Sequence, residues 1–233
     1  SVDFPQLSDY FGISLNTLRH DIAELCLRGN IKKVYGGVTS AIGKTVTSVN
    51  ERRYQNYGTK MKIGEAASTF VKDGSNIFVD AGSTVECMVS FLSNVKNVKI
   101  TTPCLGVVEK ASAFANLSLS CLGGSFSFST RSFMDHEGID MIKRSHYDYL
   151  FLGTSSIMTD GLYVDLYFVS KMKEALVDSS TKVVLLSDSS KFMRPAPFWF
   201  CGFDRIDAIV TDKYPPEKLM AELKRNNVEV IIA

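Results

Sequence analysis

A run of small and hydroxyl residues follows one apolar segment of the chain, in the stretch IFVDAGST at positions 77–84. Gly82 lets the backbone come close to a ligand, while the amides and hydroxyls of Ser83 and Thr84 stand where a helix is expected to begin. Unpaired amides at the positive end of a helix favour anions. The run therefore predicts an anion site, although a plain turn with Ser83 or Thr84 as the N-cap fits the same residues.

Four further apolar segments end in residues of the same kind. These ends are Thr101-Thr102, Gly123-Gly124-Ser125, Gly153-Thr154-Ser155 and the stretch from Asp188 to Lys191. Each end alone is a weak signal, because glycine and serine are common in turns of every kind. Taken together, and with a lysine among them, they favour a small phosphorylated polar ligand over an apolar one.

Residues 13–38 indicate a different chemistry, that of reading DNA. Ser14 can cap a helix. Spacings of three and four then predict one buried face, made of Leu15, Leu18, Ile22 and Leu25. The other side carries small polar and basic side chains, namely Asn16, Thr17, Arg19 and His20. This is the pattern of a recognition helix, although an ordinary pair of short helices with a solvated face would also produce it.

The stretch IKKVYGGV at positions 31–38 reads as a β-wing directly after that helix. Lys32 and Lys33 can reach DNA phosphates from it and would add affinity without sequence choice. Asp21 is expected to pair with a nearby basic residue, since a carboxylate that faces phosphate would repel it. The wing favours the winged helix-turn-helix interpretation over the ordinary helical pair.

Composition excludes several other classes of protein. The chain has 233 residues, 45% of them apolar and 22% charged, with a formal net charge of +1. Its five cysteines are scattered and form no C-x-x-C pair, which argues against a zinc site or a disulfide framework and favours a reducing cytosol. No apolar run approaches the ~20 residues of a membrane span, so a cytoplasmic protein is expected. Neither a metal nor a cofactor is expected.

Alternating strand and helix patterns must position these residues. The predicted strands are Asn76–Asp80, Val98–Thr101, Leu117–Leu122, Tyr149–Gly153, Lys182–Ser187, Ala208–Thr211 and Val228–Ile232. The predicted helices are residues 51–71, Val85–Leu92, Cys104–Ala111, Asp135–Ser145, Ser170–Ser179 and Pro216–Arg225. Such alternation predicts an α/β, mostly parallel Rossmann-like sheet with both faces covered. Ligands of such sheets bind at the carboxyl ends of the strands, where the small and hydroxyl residues lie.

The first 40 residues resemble the DNA-binding domain of the DeoR family of bacterial transcriptional regulators. The matching residues are Thr17, Leu18, Arg19, His20, Asp21, Leu25, Gly29, Lys33, Gly36 and Gly37. His20 stands where the family usually has a second arginine, which implies a contact that depends on pH. The resemblance implies operator contacts from Ser14, Asn16, Thr17, Arg19, His20, Lys32, Lys33, Tyr35, Gly36 and Gly37. That domain normally starts with one more helix, so a truncated winged helix-turn-helix is expected.

Residues 51–233 resemble the effector domain of the same family, whose fold is similar to that of ribose-5-phosphate isomerase. Beside the turn at Asp80, the matching elements include Glu51, Lys60, Ala67 and the DSSKF run at 188–192. The resemblance implies effector contacts from Asp80, Gly82, Ser83, Thr84, Thr102, Gly123, Gly124, Gly153, Asp160, Gly161, Lys173 and Lys191. Two departures are evident: Pro103 replaces a usual asparagine, and no carboxylate stands around Tyr167-Phe168-Val169. Without that carboxylate an isomerase lacks its base.

The sequence thus predicts a DNA-binding domain at residues 1–40, a linker at 41–50 and a sugar-phosphate effector domain at 51–233. The predicted function is a transcriptional regulator of carbohydrate metabolism, most often a repressor in this family, whose operator affinity changes with a phosphorylated sugar or similar anion. A homo-oligomer is expected, because paired half-sites are read by symmetric dimers. The alternatives are a sugar-phosphate isomerase or deaminase, and a metabolite sensor that acts through protein partners.

Overall fold

The computed structural model describes residues 2–27, 31–34, 36–40 and 49–233, with the backbone alone for Leu27, Lys32, Thr39, Ser40, Asn50 and Glu51. The predicted roles of Gly29, Tyr35 and the Lys32 side chain lie outside the described residues. The chain divides into two compact units, Ser1–Thr47 and Ser48–Ala233, which we call the small unit and the large unit. Among the described helices, none has the length and apolar character that crossing a bilayer requires.

The small unit contains two helices and a three-stranded antiparallel sheet in the order β1-β3-β2. Its elements are β1 (Val2–Asp3), α1 (Phe4–Phe11), α2 (Leu15–Leu27), β2 (Ile31–Val34) and β3 (Gly37–Ser40). Asp3 caps α1 by accepting from the amide of Gln6 at 2.8 Å, and Gly12 ends it in the left-handed conformation with φ 64°. Ser14 caps α2 by accepting from the amide of Thr17 at 3.2 Å.

The core of the small unit consists of Leu18, Ile22 and Val38. The sequence also predicted Leu15 and Leu25 as buried, and this is wrong: their exposed fractions are 41% and 39%. Leu15 is the first residue of α2 and Leu25 lies near its end, so the described elements of this unit cover only the middle of the apolar stripe. Cys26 packs against the core in their place.

The large unit alternates strands and helices. Its strands are β4 (Asn76–Val79), β5 (Val98–Thr102), β6 (Leu117–Cys121), β7 (Ser125–Ser127), β8 (Ser132–Met134), β9 (Tyr147–Leu152), β10 (Ser156–Met158), β11 (Gly161–Val164), β12 (Ser180–Leu186), β13 (Phe198–Cys201), β14 (Ala208–Thr211) and β15 (Glu229–Ile232). Its α-helices are α3 (Val49–Tyr54), α4 (Tyr57–Ser68), α5 (Leu105–Ala111), α6 (His136–Lys143), α7 (Tyr167–Asp178) and α8 (Glu217–Arg225). Short 3₁₀ segments cover Val85–Phe91, Ser189–Lys191 and Phe203–Arg205.

Seven strands form one sheet in the order β15-β14-β12-β9-β4-β5-β6, and every neighbouring pair in it is parallel. The α/β prediction is therefore confirmed. After β6 the chain crosses back to place β9 beside β4, so the direction of strand addition reverses between these two strands. In open parallel sheets, such a reversal opens a crevice at the carboxyl ends of the strands.

Both faces of this sheet are covered. Along β4, Ile77 and Val79 contribute to a core shared with α4 and α5, whereas Phe78 contributes to a second core shared with α6, α7 and α8. Alternation along a strand sends successive side chains to opposite faces. Each large side chain buried in this way stabilises the fold by roughly 1.5–3 kcal/mol relative to exposure. The two cores hold the strand ends in fixed register.

Three sequence predictions about elements of the large unit need correction. The helix predicted over 51–71 is two helices, α3 and α4, separated at Asn56, whose φ of 54° is left-handed and incompatible with one continuous helix. It also begins at Val49, inside the predicted linker 41–50. The segment predicted as a helix over Val85–Leu92 is a 3₁₀ segment over Val85–Phe91. The antiparallel pairs β7-β8 and β10-β11-β13 were not predicted, because strands of three or four residues give little periodic signal.

Candidate functional site

The reversal point between β4 and β9 contains a buried ion pair. The carboxylate of Asp80, directly after β4, accepts from the ammonium of Lys173 on α7, from the amide of Gly153 after β9 at 3.0 Å and from the amide of Ala81 at 2.7 Å. Lys173 also donates to the carbonyl of Gly153 at 2.8 Å. Asp80 and Lys173 are both almost fully buried. The pair therefore joins the ends of two strands and one helix at the point where strand order reverses.

The turn at Gly82, Ser83 and Thr84 begins two residues after Asp80 in the chain. A Cβ placed on Gly82 would meet only Val85 Cγ2 at 3.6 Å, so the packing of the protein does not itself require glycine there. No described residue accepts a hydrogen bond from the amide of Ser83 or Thr84. The segment that follows the turn is a seven-residue 3₁₀ segment and not the predicted helix. A stronger preference for anions requires charged side chains nearby.

Such side chains are present as a cluster of four cations in the large unit, which we define as Arg52, Lys60, Lys191 and Arg194. Burial lowers the pKa of Lys191 from its ordinary 10.5, Asp188 opposes that shift, and the other three cations add to it. Burial likewise lowers the pKa of Lys60, again opposed by Asp188. Since like charges disfavour one another's charged forms, a bound anion would stabilise every member of the cation cluster.

Contacts from α4 and the Ser83–Thr84 turn connect this cluster to the strand ends. Lys60 is buried, and its Nζ donates to the carbonyl oxygens of Arg52 and of Gln55, the latter at 2.7 Å. Lys60 also acts electrostatically on Cys87, whose thiol contacts the carbonyl of Ser83 at 3.3 Å. Asp188 follows β12 and caps the Ser189–Lys191 segment by accepting from the amide of Ser190 at 3.0 Å. Electrostatic interactions thus link the cluster to residues that follow β4 and to residues that follow β12.

Other residues implied as effector contacts lie elsewhere or have partners of their own. The hydroxyl of Thr102 donates to the carbonyl of Val79 at 2.6 Å and so joins β5 to β4. Gly123 and Gly124 follow β6, and a Cβ on Gly124 would lie 2.6 Å from the carboxylate of Asp135. This position is at the sheet edge, with β5 between it and β4. In the structure, Thr102 holds two strands together and Gly124 allows the close approach of Asp135.

Asp160 and Gly161 form the turn between β10 and β11. The carboxylate of Asp160 accepts from the hydroxyl of Tyr163 at 2.6 Å, and its carbonyl accepts from the indole of Trp199 at 3.3 Å. Gly161 has a φ of 135°, and a Cβ there would approach the carbonyl of Cys201 to 2.4 Å. No contact with the described residues of the cation cluster is found for either residue. Trp199 belongs to strand β13.

Sequence reasoning missed Arg52, Lys60 and Arg194 as candidate site residues. A signal for Lys60 was present, because it shares a helical face with the apolar residues Ile63 and Ala67 at spacings of three and seven. A cation on the buried stripe of an amphipathic helix needs a partner, which is a reason to suspect a site. Arg194 follows Lys191 by three residues, outside any described helix or strand, and only the fold brings Arg52 near Lys191.

In the small unit, α2 presents its predicted polar face to solvent. Asn16, Thr17, Arg19 and His20 are all exposed. Asp21 lies 3.9 Å from His20 Nδ1, and both side chains are exposed, so the contact is weak. This helix can therefore offer its amino-terminal half to a groove without rearrangement.

The wing of the small unit depends on its glycine pair. Gly36 has a left-handed φ of 75°, and a Cβ on Gly37 would lie 2.2 Å from the carbonyl of Val2 in β1. Glycine is thus required by the turn at one position and by a neighbouring strand at the other. Lys33 on β2 is exposed, and its side chain can meet a DNA phosphate from this hairpin.

The His, Cys, Asp and Glu side chains of the described residues are the candidates for metal binding and catalysis. No group of three or more His, Cys, Asp or Glu side chains there could hold a metal ion. His146 shares a hydrogen bond of 2.8 Å with Thr181, and His136 packs edge-on against Phe168 at 5.3 Å between ring centroids. The carboxylate of Asp80 is engaged with Lys173 and two amides.

Comparison with known protein families assigns both units. Residues 55–213 match the DeoR C-terminal sensor domain, and residues 1–42 match the DeoR-like helix-turn-helix domain. The chain is 33% identical to the HTH-type transcriptional regulator IolR of Bacillus subtilis over 91% of its own length and 85% of that protein. It is 26% identical to the glycerol-3-phosphate regulon repressor of Escherichia coli over 98% of this chain and 91% of the relative.

Solved structures give a weaker likeness. Ribose 5-phosphate isomerase A from Methanocaldococcus jannaschii is 18% identical, with a TM-score of 0.43 over 60% of this chain and 56% of the isomerase. The translation factor subunit eIF2B beta from Chaetomium thermophilum is 16% identical, with a TM-score of 0.48 over 73% of this chain and 54% of the subunit. These values are too low to transfer any property of either protein.

Proposed function

The chain belongs to the DeoR family of transcriptional regulators, and from that premise we propose that it represses a carbohydrate operon under the control of a phosphorylated sugar or polyol. The small unit would read the operator with α2 and hold its phosphates with the wing. The large unit would bind the metabolite. A relative named a repressor of the glycerol 3-phosphate regulon supports a phosphorylated polyol as one class of ligand.

One observation carries the choice of a phosphorylated ligand: four cations of the large unit act on one another electrostatically, opposed by Asp165, Asp188 and Glu86, and Glu86 is already paired with Arg53. The nearby pairs Lys173–Asp80 and Arg53–Glu86 are each internally balanced. A phosphate monoester carries a charge of about −1.5 to −2 at pH 7 and offers three acceptor oxygens. It would relieve the mutual repulsion of the cation cluster, which an uncharged sugar could not do.

The experiment is a thermal-shift screen of the purified chain against a panel of sugar and polyol phosphates, each paired with its unphosphorylated parent. We expect stabilisation by at least one phosphate ester and none by its parent at equal concentration. A parent compound that stabilises the protein as much as its ester would contradict a site built for phosphate. Ligands that bind only the folded state stabilise it in proportion to RT ln(1 + [L]/Kd).

On the operator side, we propose that Thr17, Arg19 and His20 enter the major groove. Arg19 can make a bidentate contact to guanine, worth roughly 1–3 kcal/mol of discrimination. We further propose a symmetric oligomer, because one small unit reads only one half-site. Light scattering coupled to size exclusion measures this directly, and a monomer at micromolar concentration both with and without operator would contradict it.

The same proposal excludes turnover. Asp80 is engaged by three donors, and the Tyr167–Val169 stretch offers no carboxylate base. Turnover of ribose 5-phosphate or glucosamine 6-phosphate by the purified chain would show that it is an enzyme.

A gel shift distinguishes a repressor from a sensor that acts through protein partners. Binding of a selected operator that weakens with added salt supports the repressor, and no binding at any salt concentration supports the sensor.

A further inference from the structure

The helix α3 begins the large unit and directly follows residues 41–48 in the chain. Two contacts fix it to the region of the proposed ligand site. Arg53 Nε donates to Glu86 Oε1 at 2.6 Å, and Glu86 lies two residues after Thr84. Lys60 Nζ donates to the carbonyl oxygens of Arg52 and Gln55, at the carboxyl end of α3. Both contacts use groups beside the Ser83–Thr84 turn or within the cation cluster.

Two adjacent arginines of α3, Arg52 and Arg53, differ in whether their guanidinium groups have hydrogen-bond partners. The guanidinium of Arg53 has the buried carboxylate of Glu86 as its partner. Arg52 Nε is buried and has no hydrogen-bond partner among the described residues. A buried guanidinium N–H without an acceptor is unfavourable, and native proteins rarely leave one. Arg52 therefore has a donor available for a group that is not part of the large unit itself.

The charges around Arg52 identify the chemistry of that group. Asp165 and Arg194 act on it electrostatically, and burial lowers its pKa. Arg52 in turn acts on Lys60 and Lys191. Asp165 and Asp188 oppose the four cations, and the third carboxylate nearby, Glu86, is already paired with Arg53, so the cluster keeps an excess of positive charge. A dianionic phosphate ester matches this excess and supplies the acceptor that Arg52 lacks.

We infer that Arg52 binds the phosphate of the ligand, and that α3 is the element by which an occupied site acts on the residues leading to the small unit. The inference rests on the proposed function, because it presupposes a phosphorylated ligand at the cation cluster. It goes further in naming a contact residue and a route. Binding would draw Arg52 toward the phosphate, while Lys60 and the Arg53–Glu86 pair join the rest of α3 to the same site.

The test uses the full chain and inorganic phosphate as the probe, in calorimetric titrations of the wild type, Arg52→Gln, Arg52→Lys and Arg131→Gln. Arg131 is the matched control, since its Nε is also buried without a partner but its guanidinium contacts Glu109 at 3.3 Å, outside the cluster. We expect at least tenfold weaker phosphate binding for Arg52→Gln and a change below twofold for Arg131→Gln. Arg52→Lys should fall between them, because it keeps the charge but loses the planar donor set.

Amide hydrogen exchange of residues 49–54 tests the route. Phosphate should slow exchange in this segment several-fold in the wild type and leave it unchanged in Arg52→Gln. Circular dichroism and melting without phosphate establish that each variant is folded. If Arg52→Gln does not fold, Arg52→Lys still provides the test. If both Arg52 variants bind phosphate with the affinity of the wild type, this inference is overturned and the proposed function is not. A wild type that binds neither phosphate nor any sugar phosphate would overturn the proposed function and the inference with it.

Discussion

Lys191 is a half-buried lysine that shares its surroundings with three other cations and one capping carboxylate, Asp188. In the free protein this arrangement is unfavourable for its charge. With a phosphate bound, the same arrangement becomes favourable, because each cation then has an anion to face. Under the proposed function, the residues that define ligand chemistry are those whose charge the free protein does not neutralise.

Replacing Lys191 with alanine should abolish the thermal stabilisation by sugar phosphates while leaving the fold intact. The reason is the loss of one cation from the proposed site, and we expect binding at least tenfold weaker, or about 1.4 kcal/mol. Lys62→Ala is the control, since Lys62 lies on the exposed side of α4. Unchanged melting shifts in Lys191→Ala would mean that the phosphate does not bind at this lysine.

Ser83→Asp should have the same effect by a different mechanism. It places a carboxylate on the turn whose amides have no described acceptor, and that charge would repel the phosphate. Ser83→Asn is the uncharged control of similar size and should retain most of the binding. Equal stabilisation by sugar phosphates in the wild type and Ser83→Asp, measured by thermal shift, would place the ligand away from this turn.

The lowered pKa values of Lys60 and Lys191 predict how phosphate affinity depends on pH. Affinity should rise from pH 5 to 7, because the second pKa of a phosphate monoester is about 6. It should fall before pH 10.5, as the two lysines lose their protons earlier than exposed ones. Between their lowered pKa values and 10.5 the unfolded state binds more protons, so the free protein gains stability as pH rises. A flat calorimetric profile from pH 7 to 10 would contradict the assignment.

At the scale of elements, the sheet is determined by features that the sequence displays. All seven strands of the parallel sheet lie within two residues of their predicted bounds, because buried strands are continuous apolar runs ended by turn residues. The break at Asn56 was missed although the sequence carries a signal for it, since asparagine tolerates the left-handed region and Gly58 follows two residues later. The grouping of Arg52 and Lys60 around Lys191 depends on contacts distant in sequence, whereas Arg194 lies only three residues from Lys191. The roles of the predicted site residues remain predictions.

The Lys173–Asp80 pair joins α7 to the ends of β4 and β9, and its loss should be costly. Asp80→Asn leaves a buried ammonium without its counter-ion, for which about 3–5 kcal/mol of lost stability is typical. Combining Asp80→Asn with Lys173→Met removes the unpaired charge and should restore part of that loss. Urea unfolding provides the comparison. A change below about 1 kcal/mol in the single variant would show that the pair does not support the crevice.

Two substitutions in the small unit separate operator choice from general affinity. Arg19→Ala on α2 should weaken binding to a selected operator by roughly 1–3 kcal/mol and relax preference at one base pair. Lys33→Ala on β2 should weaken all DNA about equally and reduce the slope of log affinity against log salt by about one. Fluorescence anisotropy with operator and scrambled DNA distinguishes them. Identical effects of both variants on both DNAs would contradict the assigned roles.

At the scale of the whole molecule, the proposed function requires that the small unit reads DNA and that the large unit binds an anion. A ligand shifts operator affinity only as far as it binds the operator-bound and free forms differently. Thermodynamic linkage then requires that operator changes ligand affinity by the same factor. This reciprocity does not depend on how the two units are arranged, and therefore tests the function of the chain directly.

The decisive measurement is that pair of affinities. An operator is first selected from random DNA, and a stabilising sugar phosphate is taken from the thermal-shift panel. Operator affinity is measured with and without saturating ligand, and ligand affinity with and without saturating operator. We predict the same factor in both, between about 5 and 150, and its loss in Arg52→Gln. A sugar phosphate that binds tightly while operator affinity stays constant would contradict the account.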